Sequence, residues 1–216
     1  MSSPRRPRVL LADDHLLVAE ALKSLLTPEF ELVGVVEDGR ALVEAATRLR
    51  PDVIVADVTM PQLNGIYALI QLRQGGDQVP VVFLTMHRDV TFARRALEAG
   101  ASGFVLKHSA PAELVTAIRA ALSGKTYLTP QLAGEVLEAM KQAPDRAADP
   151  IASVTPRQRE VLQLLAEGRS AKEIASSLSI SARTVEFHKY QLMETLGLHT
   201  NAELIHFAIK HGLVAL

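Results

Sequence analysis

The chain has 216 residues, 48% of them hydrophobic and 4% aromatic, with a formal net charge of -1 and no cysteine. That length allows one large domain or two ordinary ones, while the lack of cysteine excludes disulfides and thiolate metal sites. A near-neutral charge does not by itself advertise nucleic acid. The basic, proline-containing tail of residues 1–7 has no apolar signal core behind it, and no apolar run approaches the ~20 residues that cross a bilayer. These features predict a cytoplasmic protein with no membrane partner.

From residue 8 to 123, short apolar runs alternate with helical stretches. The runs are Val9–Ala12, Leu32–Val36, Val53–Ala56, Val81–Leu84 and Gly103–Leu106. Between them Leu42, Ala45, Ala46 and Leu49 repeat at i, i+3, i+4 and i+7, and Leu114, Ile118, Ala121 and Leu122 repeat the signal. Strands alternating with helices imply βαβ units on a parallel sheet, with five strands and five helices. The near-continuous apolar strands fit a sheet covered on both faces. The expected fold of 8–123 is thus α/β, a flavodoxin-like doubly wound (βα)5 domain.

Over residues 124–153 the alternation stops. Leu132 to Met140 has the composition of a helix, and the polar, alanine-rich run from Gln142 to Pro150 reads as a linker. Residues 154–216 are helical throughout in pattern, which makes the second domain all-α. Thr155-Pro156-Arg157-Gln158, Ser170-Ala171-Lys172-Glu173 and Thr200-Asn201-Ala202-Glu203 have the form of capping boxes. Ser181 can cap a helix that Gly197 ends. Four helices result, and the second and third, joined by Ser179-Ile180-Ser181, have the look of a helix-turn-helix.

Asp57 closes the third apolar run, and Asp13 and Asp14 follow the first. Ligands of open α/β sheets gather at the carboxyl ends of the strands, and the first and third strands are neighbours in small doubly wound folds. Three carboxylates meeting there repel one another, and a hard divalent cation resolves the repulsion. Mg²⁺ fits, since it accepts few protein ligands and keeps places for water and phosphate. The fourth strand ends at Thr85 and the fifth is followed by Lys107, adding a hydroxyl and an ammonium. An anionic nucleophile, a cation site, a hydroxyl donor and a lysine together describe phosphoryl transfer. Each residue alone has an ordinary explanation, such as a helix cap for Asp13-Asp14; their convergence at four strand ends is what carries the reading.

With Asp13-Asp14, the run Asp57-Val58-Thr59-Met60-Pro61, Asn64-Gly65, Thr85 and Gly103-Phe104-Val105-Leu106-Lys107, residues 8–123 resemble a response-regulator receiver domain. The resemblance implies that Asp57 is phosphorylated by a sensor histidine kinase or a small phosphodonor. It implies that Asp14 and Asp57 bind Mg²⁺ with the backbone carbonyl of Thr59, Asp13 acting largely through water. Thr85 and Phe104 correspond to the family's switch pair; a phenylalanine here removes the phenol hydrogen bond that the commoner tyrosine makes. Met86 is bulkier than the small residue often found beside the switch threonine, and Thr59 and His87 stand where the family tunes dephosphorylation. A rival reading is an aspartyl-nucleophile phosphatase resembling the haloacid dehalogenases. Those enzymes need an acidic residue two positions after the nucleophile, and here that residue is Thr59. The chain is therefore expected to accept and lose its own phosphoryl group rather than act as an enzyme.

In the helix after Ser181, Val185, Leu192 and Leu196 repeat at i, i+7 and i+11 and mark a buried face, on or near which lies His188. The opposite face carries Arg183, Phe187, Tyr190 and Glu194, flanked by Glu186 and Gln191; two outward aromatics are unusual for a surface that only meets water. Residues 154–213 resemble the LuxR-type helix-turn-helix of the NarL/FixJ regulators. The residues that carry this are Leu162, Glu167-Gly168, Ile174-Ala175, Leu178, Ile180-Ser181, Thr184-Val185, His188, Leu196-Gly197 and Ala202-Glu203-Leu204. By that resemblance Arg183, Thr184, Glu186, Phe187, Lys189, Tyr190 and Gln191 face the major groove of double-stranded DNA. Arg, Gln and Glu there match guanine, adenine and cytosine edges. Arg183 and Lys189 are offset by Glu186 and Glu194, and Thr195 and Asn201 replace residues that are commonly basic in the family. A monomer is thus expected to bind DNA weakly, and a homodimer formed on phosphorylation to bind it well. The rival here is a regulator that acts through protein partners without DNA contact. The resemblance further implies that the receiver masks the recognition helix until phosphorylation shifts the equilibrium.

Overall fold

A computed structural model of the chain describes residues 5–86, 90–109, 111–142 and 150–214; most of the expected linker, 143–149, lies outside them. The chain divides into two compact units, one ending in the stretch before Pro144 and one following it.

The first unit is a parallel sheet flanked by helices. Its strands are β1 (Arg8–Ala12), β2 (Glu31–Val36), β3 (Val53–Asp57), β4 (Val81–Thr85), β5 (Gly103–Leu106) and β6 (Tyr127–Leu128), in the order β2-β1-β3-β4-β5-β6. The helices are α1 (Leu16–Leu26), α2 (Gly39–Leu49), α3 (Gly65–Gln74), α4 (Val90–Glu98), α5 (Pro111–Leu122) and α6 (Pro130–Gln142). β1 and β3 pair directly, Val9 opposite Val53 through Ala12 opposite Ala56. The sheet thus brings the residues after β1 beside the end of β3.

Five strands were expected from the sequence, and a sixth is found: Tyr127 and Leu128 pair in parallel with Gly103 and Phe104. A strand of two residues is too short to show an alternation, so its signal merges with the turn around Gly124. α6 follows at once, packs on α4, and buries Leu132 and Val136.

Every residue of β3, β4 and β5 is buried, whereas the edge strand β2 is partly open. On one face Val9, Leu11, Val53, Val55, Val82, Leu84 and Val105 pack with Ala19 and Leu26 of α1 and with Leu114, Ala117, Ile118 and Ala121 of α5. The alternate residues Leu10, Ile54, Phe83, Phe104 and Leu106 point to the other face and are equally buried. Each large side chain so buried contributes roughly 1.5–3 kcal/mol. Double-sided burial explains why the strands read as unbroken apolar runs. The Arg8 guanidinium donates to the carbonyls of Leu49 (2.7 Å) and Arg50 (3.0 Å), placing a cation at the C-terminus of α2 and fixing the start of β1.

The second unit begins with a 3-10 turn, Pro150–Ser153, followed by α7 (Pro156–Ala166), α8 (Ala171–Leu178), α9 (Ala182–Leu196) and α10 (Asn201–Lys210). All three capping boxes form, at Thr155/Gln158, Ser170/Glu173 and Thr200/Glu203. The Ser170 hydroxyl holds the Glu173 carboxyl below its ordinary range, and the His199 backbone N–H does the same for Glu203. Ser181 caps α9, accepting from the Thr184 N–H at 3.0 Å, and Gly197 ends it with φ +65°. α8 ends on Ser179 in the left-handed region (φ 53°). The side chains of Val161, Leu162, Ile174, Leu178, Val185, Leu192, Leu204 and Ala208 are buried where α7 meets α8, α9 and α10. Among the described residues no helix is long and apolar enough to cross a membrane.

Candidate functional site

Asp57 is the last residue of β3. The four residues before it are fully buried and Asp57 itself is 5% exposed, so the strand delivers a carboxylate into a nearly dry sheet edge. Asp13 follows β1, its N–H donating to the Val36 carbonyl, and it too is buried. Lys107 follows β5, held by its N–H to the Thr85 carbonyl at 2.8 Å. Its Nζ donates to Asp57 Oδ2 at 2.6 Å and forms an ion pair with Asp13 Oδ2 at 2.7 Å. One ammonium thus bridges two carboxylates from different strands. The Thr59 N–H donates to Asp57 Oδ1 at 3.2 Å.

The loop after Asp57 needs a glycine where α3 begins. A Cβ on Gly65 would lie 2.2 Å from the Asp57 carbonyl oxygen, and the Gly65 N–H donates to the Val58 carbonyl at 2.9 Å. The helix therefore starts hard against the backbone of the central aspartate.

Burial pushes the Asp57 carboxyl above its ordinary value. The hydrogen bond and charge of Lys107 pull it back only in part, and the neighbouring Asp13 charge adds to the rise. For Lys107 burial is the largest single influence and lowers its pKa, yet Asp13 and Asp57 together outweigh it, so the ammonium is held above its ordinary value. Lys107 is therefore a cation at neutral pH.

Asp14 is exposed, and beside it stands a residue that sequence reasoning missed. His15 Nδ1 lies 2.9 Å from Asp14 Oδ1 and 3.5 Å from Asp13 Oδ1. Asp13, Asp14, His15 and Asp57 can each offer one ligand atom, all within 4.8 Å of one another. A cluster dominated by carboxylate oxygens suits a hard divalent cation, so the donor set fits the metal expected there.

Thr85, the last residue of β4, and Phe104, the second residue of β5, are both buried. The register sets Phe83 opposite Phe104 and Thr85 opposite Leu106. By strand alternation Thr85 and Phe104 share the face opposite to that of Asp57 and Leu84. The structure thus brings Asp57, Asp13 and Lys107 into contact, and Thr85 ends the neighbouring strand β4, next to the Leu84 that pairs with Asp57. Met86 is 65% exposed, and His87 lies outside the described residues.

In the second unit, α9 buries Val185 and Leu192 and leaves Leu196 half-buried. Arg183 and Glu194 are exposed, as are Phe187 (56%) and Tyr190 (65%). The other expected contacts have partners within the unit. Thr184 shares a hydrogen bond of 2.8 Å with Ser181, and Gln191 accepts from Gln158 at 3.4 Å. Lys189 pairs with Glu186 at 2.5 Å and lies 5.5 Å from the Tyr190 ring centroid. His188 is half-buried, with a buried Nδ1 that has no hydrogen-bond partner among the described residues, in keeping with a packed histidine.

Comparison with known proteins gives a family for each of the two regions. Residues 9–119 match the response regulator receiver domain, and residues 152–208 match the bacterial regulatory proteins of the luxR family. The transcriptional regulatory protein MctR of Rhizobium johnstonii is 35% identical over 217 residues, covering 100% of this chain and 99% of the relative. The response regulator UvrY of Escherichia coli K12 is 31% identical over 208 residues, 95% of this chain and 94% of the relative. Among solved structures, the RcsB–DNA complex aligns with a TM-score of 0.60 at 26% identity, over 96% of this chain and 99% of that one. A receiver domain matched over half the chain, a luxR-family domain matched after it and relatives that align end to end have one consequence: this chain belongs to the two-component response regulators of the LuxR type, with a DNA-binding output domain.

Proposed function

We propose that this protein is a transcription regulator switched by transfer of a phosphoryl group to Asp57 from a sensor histidine kinase. The observation that supports this best is the Lys107 ammonium, 2.6 Å from the Asp57 carboxylate and held by Asp13 on its other side. An Asp57 carboxylate oxygen attacks phosphorus of a phosphohistidine or of acetyl phosphate. The bond from phosphorus to the donor's nitrogen or oxygen breaks, and the leaving group departs with its electron pair. Lys107 offsets charge on the phosphoryl oxygens, and the Thr85 hydroxyl binds one of them as Phe104 packs behind it. Asp13, Asp14 and Asp57, with the Thr59 carbonyl, would hold Mg²⁺, which when bound neutralises charge on the transferring group.

The helix α9 then carries the output. Arg183, Phe187 and Tyr190 are the outward side chains best placed to meet DNA. Thr184, Glu186, Lys189 and Gln191 complete the contact surface by exchanging their present partners. Since α9 carries no net charge, a homodimer across two half-sites supplies the affinity that one monomer lacks. This role places the protein with the DNA, in the cytoplasm. The pairing of Lys189 with Glu186 favours one other reading, a regulator that works through protein partners without touching DNA.

Incubation with acetyl phosphate and Mg²⁺ should add one phosphoryl group by intact mass, and Asp57→Ala should abolish it. Unchanged labelling of that variant would move the acceptor elsewhere. Protection of specific DNA sites by the phosphorylated protein would exclude the partner-only reading.

A further inference from the structure

Phe187 and Tyr190 stand three residues apart on the outer stripe of α9, 56% and 65% exposed. Three residues of helix rise about 4.5 Å and bring a side chain back to nearly the same face, so the two rings form one apolar patch. Each ring has a neighbour that steadies it. The Phe187 ring lies 5.9 Å from that of His188, tilted by 58°. Lys189 Nζ lies 5.5 Å from the centre of the Tyr190 ring and is itself paired with Glu186. The patch adds nothing to the core of the second unit, which α9 meets on its other side through Val185 and Leu192. Its surroundings are polar, and it belongs to the second helix of the helix-turn-helix in a luxR-family domain.

We propose that Phe187, with Tyr190 beside it, reads the 5-methyl group of a thymine in the major groove. The methyl, rather than the hydrogen-bonding edge of the base, is then what selects that position of the half-site. In the major groove every base offers hydrogen-bond donors or acceptors, and thymine alone of the four adds an apolar group. Phenylalanine has neither donor nor acceptor to offer. Against a purine edge its ring would strip water from N7 and put no hydrogen bond in its place. Against the thymine methyl it loses nothing and buries apolar surface on both sides.

Arg183 stands one turn earlier on the same stripe, where a guanidinium matches guanine O6 and N7. Four residues separate it from Phe187, about 6 Å of helix, or roughly two base-pair steps at about 3.4 Å each. The half-site should therefore combine a guanine with a thymine about two steps away. Arg183 and Lys189 are balanced by Glu186 and Glu194, so α9 gains little from phosphates and depends the more on contacts to the bases. This inference rests on the reading of α9 as the helix that meets DNA.

The full-length protein, phosphorylated with acetyl phosphate and Mg²⁺, is first used to select duplexes from a random pool. Each thymine of the selected site is then replaced in turn by uracil, which removes the methyl and keeps the hydrogen-bonding edge. Fluorescence anisotropy should show binding weakened by about 4-fold at one thymine of each half-site, the factor that one buried methyl contributes. Phe187→Ala should bind the thymine and uracil duplexes alike, with unchanged thermal unfolding. Discrimination that persists in Phe187→Ala would overturn the reading of the methyl by this ring. So would a wild type that binds every uracil duplex as tightly as the thymine duplex; both results leave DNA binding by α9 standing. A pool from which the phosphorylated protein selects no site would overturn α9 as the helix that meets DNA, and this inference with it.

Discussion

Lys107 Nζ lies 2.6 Å from Asp57 Oδ2, at a sheet edge where both side chains are more than nine-tenths buried. The same ammonium reaches Asp13 at 2.7 Å, so one cation holds two carboxylates that would otherwise repel. Replacing it with an uncharged side chain of similar length leaves two buried charges uncompensated. Lys107→Met should lower the stability of the first unit by about 3 kcal/mol, the scale of a broken buried ion pair. It should also slow labelling by acetyl phosphate by about 10²-fold, as loss of one charge-stabilising donor does elsewhere. Denaturant unfolding and intact-mass kinetics check the two effects separately.

The raised pKa of Asp57 has a sign that can be measured without phosphate or metal. Burial makes the folded chain hold the Asp57 proton more tightly than the unfolded chain, whose carboxyl titrates near 3.8. The stability this contributes is fully present below 3.8 and is lost as pH rises through the folded value. With a chelator present, Asp57→Asn should therefore be more stable than wild type at neutral pH. The difference should shrink as pH falls toward 3.8. Thermal melts of both proteins at several pH values would show it, and a gap that widened on acidification would contradict the sign.

Gly65 is a steric test of how closely α3 must approach Asp57. A Cβ there would sit 2.2 Å from the Asp57 carbonyl oxygen and 3.0 Å from Phe83 Cε1, and the backbone cannot yield without moving the nucleophile. Gly65→Ala should cost about 1–3 kcal/mol, as overpacking does, and should reduce labelling of Asp57. Wild-type melting together with wild-type labelling would show that the approach is looser than these distances state.

Much of this arrangement was legible in the sequence. Strands buried on both faces read as apolar runs, so β1, β3, β4 and β5 declared themselves, and with them the places of Asp13, Asp57, Thr85 and Lys107. The capping boxes were equally plain because their two partners sit three residues apart. β6 was not legible: Tyr127 and Leu128 pair only with the distant β5, and two residues hold no period. His15 was missed because one histidine after two aspartates reads as a helix start. Its signal was its place directly after a strand-end acidic pair, which becomes meaningful once the loop is seen to fold back on itself. Nor does composition show that Lys189 pairs with Glu186, since that depends on side-chain rotamers along α9.

On α9, Arg183 is exposed in the first turn, two residues after the Ser181 cap. Arg183→Ala should weaken binding to a selected DNA site by about 1–3 kcal/mol and relax base preference at one position. Its thermal unfolding should not change. By contrast Ser181→Ala removes the helix cap and should lower the stability of the second unit by about 1 kcal/mol. Binding-site selection with each variant distinguishes loss of base readout from loss of fold.

In the proposed function, the phosphate on Asp57 governs DNA binding through α9. The most direct test is genome-wide footprinting of the wild-type protein beside Asp57→Ala, each with and without its phosphodonor. The phosphorylated wild type should occupy specific sites that Asp57→Ala leaves empty. Equal occupancy by both proteins, or no site for either, would contradict it.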